Sequence, residues 1–167
     1  KDETLAHLDR YIEQLEAAVT ARGGHVYFAT DGDDANEIVS RIASERGITK
    51  IVKSKSMVTE EIHLNRHLES LGMEVTETDF GEFIIQLAGE RPSHLVGPAL
   101  HKTAEEMAEL LNRTVHANVT SDPHEMAQFA RGLLRQKFAE SQMGISGGNF
   151  LVAETGTLVI ISNEGNA

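Results

Sequence analysis

GITKIVKSKSMVTEEIHLNRHLESLGMEVTE, residues 47–77, reads as strand, helix, strand. Lys50 to Lys53 is a short run with an apolar centre, bounded by Gly47 and by a polar Ser-Lys-Ser turn, the pattern of a strand buried in a sheet. A helix is expected from about Thr59 to Leu71, where Gly72 stops it, and Met73 to Thr76 reads as the next strand. Two strands joined through a crossover helix run parallel, so this stretch sets the fold class.

The same alternation extends in both directions. Thr4 to Arg22 carries Leu5, Leu8, Ile12, Leu15 and Val19 at helical spacing before Gly23-Gly24, and His25 to Ala29 reads as a strand. Asp34 with Glu37 has the spacing of a capping box, opening a helix with Ile38, Val39 and Ile42 inward and Gly47 at its end. After residue 77, Asp79 and Glu82 repeat that spacing ahead of an apolar helix through Leu87. Pro92 then precedes a strand at about His94 to Val96, and Thr103 with Glu106 starts a helix through Leu111. Arg113 to Thr120 reads equally as strand or loop. Asp122-Pro123-His124-Glu125 combines an N-cap, an N1 proline and an N3 glutamate for a helix to about Phe138.

The chain closes with GISGGNFLVAETGTLVIISNEGN, residues 144–166. Phe150 to Ala153 and Thr157 to Ile161 read as buried strands, paired antiparallel across Glu154-Thr155-Gly156, with glycine-rich loops at either end. The expected architecture is α/β: a mostly parallel sheet flanked by helices, with an N-terminal helix over residues 1–23 and a C-terminal strand hairpin in the domain of residues 24–167.

Composition bounds the function classes. A length of 167 residues suits one domain with a core. Cysteine is absent, which excludes disulfides, thiolate metal sites and a cysteine nucleophile in this chain and fits a cytoplasmic location. A net charge of −11 argues against nonspecific binding of nucleic acid or anionic membranes, and no run is long enough for a membrane-spanning helix. No metal site is expected: His63 and His67 lack the intervening glutamate of a zinc helix, and His94 and His101 lack a third ligand.

Candidate chemistry gathers at a few places. Lys53-Ser54-Lys55-Ser56 follows a strand and precedes a helix, where open α/β sheets bind ligands, and its ammonium and hydroxyl groups suit a carboxylate or phosphate. Glycines let a backbone approach a ligand closely with its N–H groups exposed, so Gly144, Ser146, Gly147 and Asn149 on one side, with Glu154, Thr155, Asn163 and Glu164 on the other, read as a pocket lip. His101 and Lys102 are candidates for polar contact with the same ligand. Lys53, Lys55, His101, Asn149 and Glu154 are expected to converge at one end of the sheet, with Glu154 the candidate nucleophile or base if the chain is an enzyme. Glu60, Glu61, Glu77, Asp79 and Glu82 offer paired carboxylates, although capping already accounts for Asp79 and Glu82. Arg131 and Arg135, one helical turn apart, allow a shared anion and equally ion pairs such as with Glu140; pairing is the expectation.

Taken together, Lys53–Met57 with Glu60-Glu61, Glu77–Glu82, Arg91–His94 with Pro98–His101, and the closing Gly-Ile-Ser-Gly-Gly-Asn … Glu-Thr-Gly-Thr … Asn-Glu-Gly-Asn resemble the LUD domain of bacterial lactate-utilisation proteins. The resemblance covers nearly the whole chain, and its N-terminal part is similar to the iron–sulfur member of that family. It implies a fold similar to the NagB/RpiA/CoA-transferase group and a parent protein with two [4Fe–4S] clusters. That parent would work with other lactate-utilisation subunits in oxidising L-lactate to pyruvate. No cofactor is expected in this chain, since it has no cysteine for the clusters. The expected role is a small-anion-binding and subunit-docking module of a C-terminally incomplete LUD domain, inactive alone, with a homodimer as one way to cover its open edge. The alternative is an enzyme domain like the CoA-transferases or sugar-phosphate isomerases, acting on a small carboxylate or phosphate.

Overall fold

The parallel ladder expected from residues 47–77 forms the centre of the molecule. In the computed structural model, which describes residues 1–93, 97–162 and 164–166, β1 (Lys50–Lys53) pairs in parallel with β2 (Glu74–Glu77), setting Ile51 beside Val75 and Lys53 beside Glu77. A third strand, β3 (Met143–Ile145), joins the free side of β1, also in parallel, to give the order β2-β1-β3. This strand falls inside a stretch whose glycines read as loop. Its pairing with Ile51, Val52 and Lys53 overrides the weak local preference.

Helices cover the sheet. Numbered in chain order they are α1 (Asp2–Ala6), α2 (Leu8–Thr20), α3 (Gly32–Glu45), α4 (Met57–Glu61), α5 (Leu64–Ser70), α6 (Phe80–Ala88), α7 (Ala104–Val115) and α8 (Pro123–Glu140). Ile51 and Val75 pack into a cluster with Ala43, Ile48, Leu64, Leu68 and Met73. A second cluster, from Phe83, Ile84 and Ile85 through Leu110, Leu111, Met126 and Leu134, binds α6, α7 and α8 together. Each fully buried aliphatic side chain of this kind contributes roughly 1.5–3 kcal/mol.

Caps set most helix boundaries. Thr103 and Glu106 form a full reciprocal box, Asp122 accepts from the N–H groups of His124 and Glu125, and Asp79 accepts from that of Glu82. The cap of α3 is Asp31, not Asp34. Asp31 accepts from the Asp34 N–H, while Asp34 reaches back to Thr30. The helix expected over Thr59 to Leu71 is broken in two, because His63 adopts a left-handed conformation with φ 54°. His7 likewise interrupts the N-terminal helix, and His116 and Asn118, both left-handed, resolve Arg113 to Thr120 into a helix end and a loop.

Two expectations fail outright. Residues 25–29 form no strand, and Tyr27 and Phe28 are exposed. Among the described residues their β-favouring composition finds no strand to pair with, and a strand without a ladder has no stabilising bonds. The C-terminal hairpin does form, as β4 (Phe150–Val152) antiparallel to β5 (Thr157–Val159). It is not buried. It makes a separate two-stranded sheet with Phe150, Leu151 and Leu158 exposed, because no described layer lies over it. The strand expected at His94 to Val96 lies outside the described residues.

Candidate functional site

The chain leaves β1 for β2 on one side and reaches β3 on the other, so the carboxyl end of β1 is a point where connections diverge. Crevices of α/β sheets open at such points. A cavity of about 600 Å³ lies there, lined by the segment after β1 (Ser54–Thr59) and the segment after β3 (Ser146–Asn149). Asp79, Ile160, Ile161, Ser162 and Asn166 complete its wall.

The two edges are tied together. The Ser54 hydroxyl donates to the Ser146 hydroxyl at 2.9 Å, and the Ser54 N–H donates to the Ile145 carbonyl, also at 2.9 Å. Ser56 caps α4 through the Thr59 N–H. Gly147 passes so close to Ser56 that a Cβ would lie 3.3 Å from its side chain, and Gly148 lies under Leu158. Among the described residues the N–H groups of Gly147 and Gly148 have no hydrogen-bond acceptor, and they border the cavity. Exposed Lys55 supplies a positive charge at the rim. The result is a cleft with hydroxyls, free N–H donors and one ammonium on one side, and Met57, Val58, Ile160 and Ile161 as apolar surface.

Lys53 lies beneath this cleft. Its ammonium is fully buried, bonded to Glu77 at 2.8 Å and to the Thr59 hydroxyl at 3.2 Å. The Glu77 carboxylate also accepts from the Asn65 side-chain amide at 2.6 Å, and the Glu77 backbone N–H donates to the Gln86 side-chain oxygen at 3.0 Å. Burial pushes the nearby Glu60 carboxyl above its ordinary range; Lys53 opposes that rise and Glu77 adds to it. The role of Glu77, unexplained by local capping, is thus to balance a buried lysine across the β1–β2 ladder.

The anticipated convergence is partial. Lys55, Ser56, Ser146, Gly147 and Asn149 border the cleft. Asn149 is partly committed, since its side-chain oxygen accepts from the Ile161 N–H at 2.7 Å and its own N–H donates to Val159. Gly144 sits within β3 opposite Val52, where the ladder holds it. His101 and Lys102 both bond Glu90, at 2.7 and 2.6 Å, and Lys102 lines a different depression with Glu90, Glu106 and Arg113. Those contacts hold the Glu90 carboxyl below its ordinary range, the Lys102 bond being the larger cause.

Glu154 is exposed at the tip of the hairpin, where the turn packs on α2 instead of facing the cleft; a Cβ on Gly156 would meet the backbone of Ala18 and Val19. Thr155 shares a hydrogen bond with Thr157 at 2.7 Å. Glu164 accepts from the Phe80 N–H at 3.2 Å and borders a second cavity. Loss of water raises its carboxyl, the Phe80 bond opposes that rise, and Asp79 adds to it. Asn163 lies outside the described residues. Sequence reasoning missed Ser162 and the apolar wall of Ile160 and Ile161, which patterning assigned to a buried strand, and it accounted for Asp79 by capping alone.

Among the described residues no three His, Asp or Glu side chains gather as a metal-ligand set, and no helix is long and apolar enough to cross a membrane. Without cysteine, the residues of this chain do not fit an iron–sulfur cluster.

The chain is 48% identical over 168 residues to lactate utilization protein B of Bacillus pumilus, an alignment covering the whole chain and 36% of the relative. It is 50% identical over 165 residues to lactate utilization protein B of Geobacillus thermodenitrificans, covering 98% of the chain and 35% of the relative. The Anoxybacillus flavithermus protein of the same name is 47% identical over 168 residues. The chain therefore spans about a third of the length of the curated relatives it matches. No solved structure matches it. The LUD domain matches residues 12–167, from within α2 to the last residue, taking in the sheet, both edges of the cleft and the hairpin, and the chain belongs to that family.

Proposed function

We propose that this chain is the LUD portion of a lactate-utilisation protein and that the cleft at the carboxyl end of β1 and β3 holds a small organic anion of the lactate and pyruvate class. The observation that carries this reading is the placement of Lys55, the serine hydroxyls and the free N–H groups of Gly147 and Gly148 at the divergence point of a parallel sheet. Its support from outside the structure is the name shared by relatives that match the chain end to end. The cleft suits such a ligand chemically. A carboxylate is held by Lys55 and the glycine N–H groups, an α-hydroxyl donates to Asp79, and a methyl group lies on Val58 and Ile160. At about 600 Å³ the cavity has room for water beside the ligand or for a longer carboxylate.

In this reading the parent protein carries iron–sulfur clusters elsewhere in its sequence and works in the cytoplasm with other lactate-utilisation subunits in oxidising L-lactate to pyruvate. The present chain binds and docks and does no redox chemistry alone. The exposed hairpin is its docking element toward those subunits or a second copy. An enzyme reading centred on Glu154 gains nothing from the geometry, which sets that carboxylate apart from the cleft.

The test is equilibrium binding of L-lactate, pyruvate and inorganic phosphate to the purified chain and to Lys55→Ala. Removing an exposed charge-assisted contact costs about 1–2 kcal/mol, so the variant should bind the preferred carboxylate roughly tenfold more weakly. No saturable binding of any of the three, or equal affinity in the variant, would remove the cleft from the account and leave docking alone.

A further inference from the structure

Arg131 and Arg135 stand one turn apart on α8, and the ion pairing their spacing suggested is not made among the described residues. Glu140 is taken by Lys50 at 2.7 Å and by Gln136 at 2.8 Å. Lys53, Lys102 and Lys137 likewise each hold a carboxylate. Among the described residues neither arginine has a carboxylate within 4.0 Å. In a chain with a net charge of −11, two arginines one turn apart on α8 make a local patch of positive charge. Both border a cavity of about 800 Å³ between α8 and the segment after β5, whose apolar surface comes from Phe80, Ala130, Leu134 and Phe138.

We propose that this cavity is a second ligand site, taking a small organic anion whose carboxylate or phosphate is held by Arg131 and Arg135 and whose aromatic or aliphatic body lies against Phe80, Leu134 and Phe138. Guanidinium groups at i and i+4 share one face of the helix and present planar forks of N–H donors that match a carboxylate or phosphate two bonds at a time. An aromatic body gains further from arginine and phenylalanine faces. The carboxylate of Glu164 also borders the cavity. It disfavours a second negative charge at that end, so the ligand carries its charge at one end only. The site is separate from the lactate reading of the first cleft, and each stands or falls alone.

The experiment titrates phenyl phosphate into the chain, with inorganic phosphate and benzyl alcohol as charge-only and apolar-only controls. The readout is the arginine Nε–Hε and α8 amide signals in NMR spectra. Saturable shifts at Arg131 and Arg135 are expected, with phenyl phosphate at least tenfold tighter than either control. Affinity should fall at least tenfold in Arg131→Gln/Arg135→Gln, approach that for inorganic phosphate in Phe138→Ala, and stay unchanged in Lys55→Ala. Shifts confined to residues 146–149, equal affinity for inorganic phosphate, or undiminished binding by the double glutamine variant would each overturn the proposal. The arginine signals of the unmodified chain decide the matter even if a variant fails to fold.

Discussion

Lys53 shows what a residue type alone conveys and what it does not. The sequence places it correctly at the end of a strand, but a lysine in a Lys-Ser-Lys-Ser turn reads as a ligand for anions. Which of the two lysines faces the cleft depends on strand alternation and on a glutamate 24 positions later, Glu77, which only the β1–β2 register brings alongside. Lys53 ends up buried against Glu77 and Lys55 faces solvent. Removing one partner of a buried pair leaves an uncompensated charge, at a cost of about 3–5 kcal/mol. Lys53→Ala should therefore lower chemical-denaturation stability by that order, and a double-mutant cycle with Glu77→Gln should show strong coupling. Independent, additive losses would contradict the pairing.

Glu60 gives a pH signature with a defined sign. Its folded-state pKa is raised by burial, so its contribution is fully present below the unfolded pKa and is lost as pH rises through the folded value. Glu60→Gln should gain stability relative to the unmodified chain as pH rises from the acidic carboxylate range toward neutrality, with the difference vanishing at low pH. Thermal melts of both proteins across that range check it, and a constant difference would count against the burial effect.

At the scale of elements, legibility followed local chemistry. β1, the Thr103 cap and the proline-started α8 could be read because short-range signals specified them. β3 could not, since three residues with a central glycine become a strand only by pairing with β1. The hairpin was half legible. Its turn and antiparallel pairing were local, while burial depended on layers no local pattern encodes. Its Gly156 turn packs closely on α2. Gly156 has φ +65°, and a Cβ there would approach the Val19 nitrogen to 2.8 Å and the Ala18 carbonyl carbon to 2.9 Å. The left-handed conformation alone costs a non-glycine residue about 1–2 kcal/mol. Gly156→Ala should thus detach the hairpin from α2, seen as faster amide exchange over residues 150–159 with the central sheet still protected. Unchanged exchange would show that this contact does not hold the hairpin.

For the molecule as a whole, exposed surface is the telling quantity. A compact folded chain of 18.3 kDa exposes about 8,100 Å² by the scaling of monomers, whereas this chain exposes 10828 Å². The surplus, about 2,700 Å², is of the order buried in obligate interfaces, and much of the exposed apolar surface lies on the hairpin and at Tyr27 and Phe28. The purified chain should self-associate in sedimentation at micromolar concentrations, and Leu151→Asp/Leu158→Asp should return it to a monomer. A monomeric parent chain under those conditions would contradict this. The central claim remains that the divergence point of the parallel sheet is the ligand site, and it is tested most directly by titrating pyruvate while following the Gly147 and Gly148 amide signals. Saturable shifts at those two amides, weakened roughly tenfold by Lys55→Ala, are the predicted result. Shifts absent there while saturable ones arise elsewhere, or no saturation at any residue, would contradict it.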